Sequence, residues 1–212
     1  MTVSHRMLLV IVLSLHTYYP WLGIAHALET GTEVALWLES GHAVATSPFS
    51  GRREIRLEAQ ERVIGSGANG INGIVVTSRR LLGFSSRSLT WNKIDLDLNE
   101  KVLERKILAA FSLVRTDRNL YAFRGANGLW FEDTLGMREQ VTRFHSNDYG
   151  AVFITNERVI GFTPLLGSFS SKPLDVHEHI VEIENENGLI LVSTTRRTLV
   201  LGSRLSGWEE FE

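Results

Sequence analysis

The sequence predicts an all-β chain built from a repeated unit of 39 residues, and three series of side chains carry that prediction. Thr77, Thr116, Thr155 and Thr194 recur at this spacing within VVTSRRLLGF, VRTDRNLYAF, FITNERVIGF and VSTTRRTLVL. Glu61, Glu100, Glu139 and Glu178 recur in a second phase, each two residues ahead of a branched apolar side chain (Val63, Val102, Val141, Ile180). Trp91, Trp130, Phe169 and Trp208 form the third. Several positions holding one drift-free period near 40, within segments of strand character, mark a repeat array.

Residues 151–183 show what one unit contains. Short apolar runs cut by turn formers read as strands rather than helices. Ala151–Ile154 is a first strand, Thr155–Arg158 a turn and Val159–Phe162 a second strand. A loop with Pro164 and Gly167 leads to a third strand over Phe169–Leu174, a fourth covers Ile180–Ile183, and Asn185–Gly188 turns into the next unit. The first strands are apolar throughout (Ile74–Val76, Val152–Ile154, Ile190–Val192), as expected of strands covered on both faces. In the second strands a small residue precedes a large one (Gly83-Phe84, Ala122-Phe123, Gly161-Phe162), so a neighbouring sheet approaches the small member while the ring fills the gap. The recurring threonine is placed to bond the turn backbone. Arg80, Arg158 and Arg197, three residues on, close that turn or pair with the recurrent glutamates; Asn119 stands in for arginine in its unit.

The same offset finds a fainter unit upstream. Ile55, Leu57, Glu61 and Val63 lie 39 residues before Ile94, Leu96, Glu100 and Val102, and Ala35–Leu38 precedes Ile74–Thr77 by the same distance. Five units then begin near residues 34, 73, 112, 151 and 190, and the fifth ends at Glu212 ahead of its fourth strand. The chain thus resembles a five-bladed β-propeller of four-stranded repeats, a single domain over residues 28–212, with Leu28–Thr32 expected to complete the last blade unless that blade keeps three strands. The Trp-Asp signature of WD repeats is absent. FITNERVIGF also resembles hairpins of bacterial PH-like domains, which makes a tandem of such β domains the alternative fold; against it, no convincing amphipathic helix follows.

Residues 1–27 are expected to be an export signal. His5 and Arg6 flank the apolar run Met7–Leu15, and Ala25-His26-Ala27 has the small-x-small pattern of a cleavage site. That run is nine residues, against about 20 for a membrane-spanning helix, so no transmembrane span is expected in the mature chain. The expected location is periplasmic or secreted. No cysteine occurs, so stability after export rests on packing, and thiolate metal sites are excluded. Without the signal, 22 basic residues less Arg6 face 24 acidic ones, a formal charge of −3, which argues against a nucleic-acid partner.

No catalytic, cofactor or metal motif stands out. Propeller glycosidases bring paired carboxylates to the axis, whereas only Glu33 lies at such a position here. His177-Glu178-His179 lacks further ligands and its glutamate is the repeat position. No GxSxG is present. One position breaks the repeat: Arg115 stands where other units have Val76, Ile154, Ser193 or Trp37, and would place a cation in an axial channel beside Trp37, or pair with a carboxylate. The loops that share one face carry Asn69, Asn127, His145, Asp148, Tyr149 and Asn187, hydrogen-bonding residues suited to a polar ligand or a protein loop. Much of that composition is also turn chemistry. The expectation is an exported, non-catalytic binding or scaffolding module using that polar face. The alternatives are a small saccharide or lactone hydrolase with a site at the axis, and a peripheral PH-like membrane module.

Overall fold

The computed structural model describes residues 32–202 and 207–212. Every regular element among them is a strand, and the strands form five antiparallel meander sheets. The first holds β1 (Ala35–Glu39), β2 (His42–Ser47) and β3 (Ser50–Arg56). The second holds β4 (Val63–Asn69), β5 (Asn72–Thr77), β6 (Arg80–Ser85) and β7 (Trp91–Asp95). The third has β8 (Val102–Ile107), β9 (Phe111–Thr116), β10 (Asn119–Arg124) and β11 (Leu129–Thr134). The fourth has β12 (Val141–Asn147), β13 (Gly150–Thr155), β14 (Arg158–Thr163) and β15 (Ser168–Pro173). The fifth has β16 (Ile180–Glu186), β17 (Leu189–Thr194), β18 (Thr198–Gly202) and β19 (Trp208–Phe211). Five such sheets are the blades of a β-propeller architecture, not tandem PH-like domains, since no helix follows any sheet among the described residues.

The phase of the sheets differs from that of the sequence unit. The strand that closes one repeat pairs with the next: β16 bonds β17 from Ile180↔Thr194 to Glu186↔Leu189. A blade is therefore the last strand of one unit plus three strands of its successor. In consequence residues 180–211 already supply four strands to the last sheet, and the three-stranded sheet is the first. Leu28–Gly31, in the segment expected to complete the last blade, lie outside the described residues, as does the expected export signal, residues 1–27.

Burial follows from this stacking. The middle strands β5, β6, β9, β10, β13 and β14 are covered on both faces, while the edge strands β7, β11 and β15 have mixed exposure and β3 is mostly exposed. Leu113, Leu120 and Ala122 of the third sheet pack on Phe153, Ile160 and Phe162 of the fourth. Val152, Ile154 and Val159 on the fourth sheet's other face pack on Val192, Leu199 and Leu201 of the fifth. A Cβ on Gly83 would clash with the Phe123 ring, and one on Gly161 would sit 2.7 Å from Leu201 and 2.8 Å from Trp208. The small residue ahead of each aromatic thus lets the following sheet close in. The recurring indoles tie the outer edges: Trp91, Trp130 and Trp208 donate Nε1 to the carbonyls of Arg53, Asn92 and Ser170 at 3.2, 3.4 and 3.1 Å, 38 residues back in the preceding sheet. No hydrogen bond or ion pair joins the first sheet to the fifth among the described residues.

In the first sheet the 39-residue offset slips by one. Leu36 pairs with Ala45 and Leu38 with Ala43, as Ile74 pairs with Gly83 and Val76 with Leu81, an offset of 38. A bulge between Ala45 and Ser47 restores the 39-residue offset before Ile55. A one-residue slip exchanges the faces of a strand. Ala43 and Ala45 therefore face the second sheet, and Trp37 takes the place of Val75, on the opposite face.

Each junction between sheets is closed around the recurring Glu and Thr, and at three of the four an Arg joins them. Thr77 Oγ1 donates to Glu61 Oε1 (2.6 Å) and accepts the Arg80 N–H (3.0 Å). Arg80 grips both carboxylate oxygens at 2.9 and 2.8 Å and reaches the Arg56 carbonyl, the end of the preceding sheet, at 2.7 Å. Glu61 also accepts the Glu58 N–H at 2.6 Å, which pins the linker. The same set recurs as Glu139–Arg158 with the Thr134 carbonyl and as Glu178–Thr194–Arg197 with the Pro173 carbonyl. At the third sheet Asn119 and the Tyr121 hydroxyl fill the arginine's place, at 3.1 Å each from Glu100. Desolvation and the Glu100 carboxylate push the Tyr121 hydroxyl pKa up. For Glu178, desolvation alone would raise the pKa, but bonds from Arg197, the Asp175 N–H and Thr194 outweigh it and hold it down at about 2.

Candidate functional site

An antiparallel meander puts its hairpins alternately at the two ends of the stack. The β4–β5, β8–β9, β12–β13 and β16–β17 turns share one end with the β6–β7, β10–β11 and β14–β15 turns. The sheet-to-sheet linkers and the threonine hairpins occupy the other. The polar residues predicted as a binding face do lie at the first of these, the turn end.

Much of that end is spent on joining sheets. Asn72 Nδ2 donates to the Leu108 and Ala109 carbonyls at 2.8 and 3.2 Å, and its Oδ1 accepts the Ser112 hydroxyl. Ser85 Oγ donates to the Gly125 carbonyl, Ile71 N–H to Ala109 O (2.9 Å) and Gly125 N–H to Ala110 O (2.9 Å). The main-chain carbonyl of Asn69 accepts from the Asn72 amide across its own turn, and Asn127 Oδ1 accepts the Leu129 N–H. These two asparagines serve hairpins of the second and third sheets.

The adjacent turns of the fourth and fifth sheets are different. Asn147 Oδ1 accepts the N–H groups of Tyr149 (2.8 Å) and Gly150 (2.9 Å), a side-chain-closed turn that lifts Asp148 and Tyr149 into solvent. Asn147 Nδ2 donates to Asn185 Oδ1 at 3.0 Å, and Asn185 Nδ2 lies 2.7 Å from His145 Nε2. Asn187 and Gly188 turn with φ of 51° and 84°, and a Cβ on Gly188 would lie 3.1 Å from the Tyr149 ring. The structure thus brings His145, Asp148, Tyr149 and Asn187 together across one junction. Asn147 and Asn185 are the residues that organise it. Sequence reasoning missed their part because both sit in runs that read as plain turn formers.

Arg115 and Trp37 are not brought together. Arg115 lies between the third and fourth sheets, 3.2 Å from Glu104 and in a cleft with Lys106, Phe144 and Phe153. Trp37, turned to the first sheet's outer face by the bulge, donates to Glu39 (3.2 Å) with the Arg52 guanidinium 5.9 Å from its ring. The expected axial pair is replaced by two separate side-chain partnerships, and Arg115 takes the ion-pair role. Glu33 is likewise engaged, by Arg87 and Ser86 at 2.9 Å each. Glu178 is occupied by the junction set and is not free to join His177 and His179 on a metal.

No family model matches the chain, and no curated protein matches it. Solved structures do. Prp20p from Saccharomyces cerevisiae, described with its binding to Gsp1p and histones, is 10% identical with a TM-score of 0.41 over 81% of this chain and 56% of its own. BamB from Moraxella catarrhalis is 16% identical with a TM-score of 0.34 over 85% and 57%. PorZ, a surface component of the type-IX secretion system of Porphyromonas gingivalis, is 10% identical with a TM-score of 0.40 over 84% and 26%. The chain spans a little over half the length of the first two. It is a repeat protein of β-propeller architecture, which its own five sheets define.

Proposed function

We propose that the chain is an exported, non-catalytic binding or scaffolding module that recognises a polar ligand or a protein loop at the turn end of its fourth and fifth sheets. One observation carries this reading. Asp148 and Tyr149 stand in solvent beside Asn187, on turns that the His145–Asn185–Asn147 bonds hold in register. A carboxylate, a phenol ring and an amide fixed in advance lose little freedom on binding. The junction sets at the opposite end supply the stiffness that loops need to present such groups. Export rests on the processing features of residues 1–27.

The test is a thermal-shift panel of soluble glycans and peptides, because a ligand of the folded state raises the melting temperature by mass action. Replacing Asp148 and Tyr149 together by alanine is expected to weaken any hit about tenfold or more while leaving the unliganded melting temperature nearly unchanged. Asn156→Ala, at the other end, is expected to leave binding intact. Loss of binding in the Asn156 variant alone would overturn the assignment.

A further inference from the structure

The turns into the outer strands β7, β11 and β15 follow one pattern that a single residue breaks. Each passes through the left-handed region two residues ahead of its aromatic. Gly128 (φ 68°) does so ahead of Trp130 and Gly167 (φ 63°) ahead of Phe169, but ahead of Trp91 the residue is Leu89, at φ 59°. A Cβ in that region crowds its own backbone, so glycine is the ordinary choice. The turn closes alike in all three, the N–H bonding the carbonyl four residues back at 2.9 Å (Leu89 to Ser85, Gly128 to Arg124, Gly167 to Thr163). The turn itself therefore does not need a leucine side chain. A repeat pattern broken once, at a cost in backbone energy, marks a local task.

Leu89 lines a cleft of about 540 Å³ between the outer strands of the first and second sheets. Ile55, Leu89 and Trp91 supply its apolar wall, and Arg53, Ser88 and Thr90 its polar one. At the next two junctions the same place is filled. Asn92, 39 residues after Arg53, donates Nδ2 to the Gly128 carbonyl at 3.0 Å. Phe131, the next equivalent, stands so close that a Cβ on Gly167 would lie 3.1 Å from its ring. Arg53 makes no such bond to the Leu89 carbonyl, and its guanidinium has no hydrogen bond or ion pair among the described residues. Its main-chain carbonyl holds the Trp91 indole N–H at 3.2 Å, which fixes that ring beside the cleft.

Charge here is one-sided. Register puts Arg53 opposite Ala45 and Ile55 opposite Ala43, on the face toward the second sheet, whereas Glu54 pairs with Val44 on the other face. Arg52 holds the Glu54 carboxylate at 3.1 and 3.3 Å. Asp95, on the strand across, is paired with Lys93 at 3.4 Å. Among the residues lining the cleft, the one cation is thus without a partner and the one carboxylate is taken.

A guanidinium takes a carboxylate through two parallel N–H bonds. The indole, Leu89 and Ile55 offer contact to C–H surface, and Thr90 donates to Ser88 Oγ at 3.2 Å, which leaves the Ser88 hydroxyl its own proton to give. An acidic sugar joins the matching groups in one molecule: a carboxylate, a ring with an apolar C–H face, and hydroxyls. We propose that the cleft between the first and second sheets binds an acidic saccharide, with Arg53 on its carboxylate, Leu89 and Trp91 against its ring and Ser88 on a hydroxyl. The strained turn is kept because Leu89 is a contact for the ligand. The site is separate from the turns of the fourth and fifth sheets and does not depend on recognition there.

The probe is trigalacturonate, with maltotriose as its neutral counterpart and acetate as a bare carboxylate. Each is titrated into the full chain while the Trp91 indole N–H resonance is followed by NMR. A saturable shift with trigalacturonate is expected, with maltotriose binding about tenfold or more weakly and acetate giving no saturable shift. Arg53→Gln keeps the main-chain bond to Trp91 and should abolish the preference for the acidic sugar. Leu89→Gly relaxes the backbone, so it should weaken binding several-fold at an unchanged or higher melting temperature. Replacing Asp148 and Tyr149 by alanine should leave trigalacturonate binding as in the native chain; its loss would move the site to the turn end. No shift, equal shifts with the two sugars, saturation by acetate, or a preference that survives Arg53→Gln would overturn the proposal. So would undiminished binding or a lowered melting temperature in Leu89→Gly, the latter by giving the leucine a packing role instead.

Discussion

A glutamate repeated every 39 residues acquires its meaning only through what it touches. Glu178 is buried, accepts from a guanidinium, a hydroxyl and a backbone N–H, and so holds together a linker, a hairpin and the last residue of the preceding sheet. Removing one partner of a buried ion pair strands the other, so Glu178→Gln is expected to cost about 3 kcal/mol in urea unfolding. The folded carboxylate, with a pKa of about 2 against an ordinary 4.5, binds its proton less tightly than the unfolded one. Its stabilisation is therefore complete above about pH 4.5 and is lost as the pH falls toward 2. The gap in melting temperature between the native chain and Glu178→Gln should narrow over that window; a gap constant from pH 6 to about pH 2 would contradict the ionised pair. The threonine and arginine roles were legible in the sequence. Tyr121 was not, because an aromatic at a core position gives no sign that its hydroxyl replaces a guanidinium.

At the scale of the element, what periodicity conveys is the unit and what it hides is the phase. The pattern is the same whether the strand of Ile180 ends one blade or begins the next; hydrogen bonding to Leu189–Thr194 decides for the latter. The register shift between Ala45 and Ser47 was equally hidden, since a one-residue change in spacing between β2 and β3 leaves the apolar run Ala43-Val44-Ala45 looking intact while it exchanges the faces. That slip is why Trp37 and Arg115 looked like neighbours. The small-then-aromatic pattern, by contrast, conveyed its own purpose. Gly161→Ala is expected to destabilise the chain by about 1–3 kcal/mol, since the new methyl meets Leu201 and Trp208 of the next sheet. An unchanged unfolding midpoint would mean that the fourth and fifth sheets do not close as described.

Over the whole molecule each sheet packs on its sequence neighbours, so stability is a sum of sheets and junctions rather than one global core. Arg197→Ala, which opens the junction of the fourth and fifth sheets, is expected to speed amide exchange in β17 and β18 by about tenfold or more while β5 and β6 keep their protection. Uniform acceleration in mass-spectrometric exchange would indicate one cooperative unit instead. The stack also has two unlike ends, with polar turns at one and the linkers and threonine hairpins at the other. The polar end was readable from sequence because turns rich in Asn, Asp and Tyr cluster there. Which of those residues share a junction was not, since that depends on what lies across the neighbouring sheet, which the composition of a turn does not record. The central claim is that recognition takes place at the turn end, around Asp148 and Tyr149. Its most direct test is a photo-crosslinking residue at position 149 or 156 of the full chain, irradiated in cells that express it and read for covalent protein or glycan adducts. Adducts at 149 and none at 156 are the result expected; adducts at 156 alone would contradict the account.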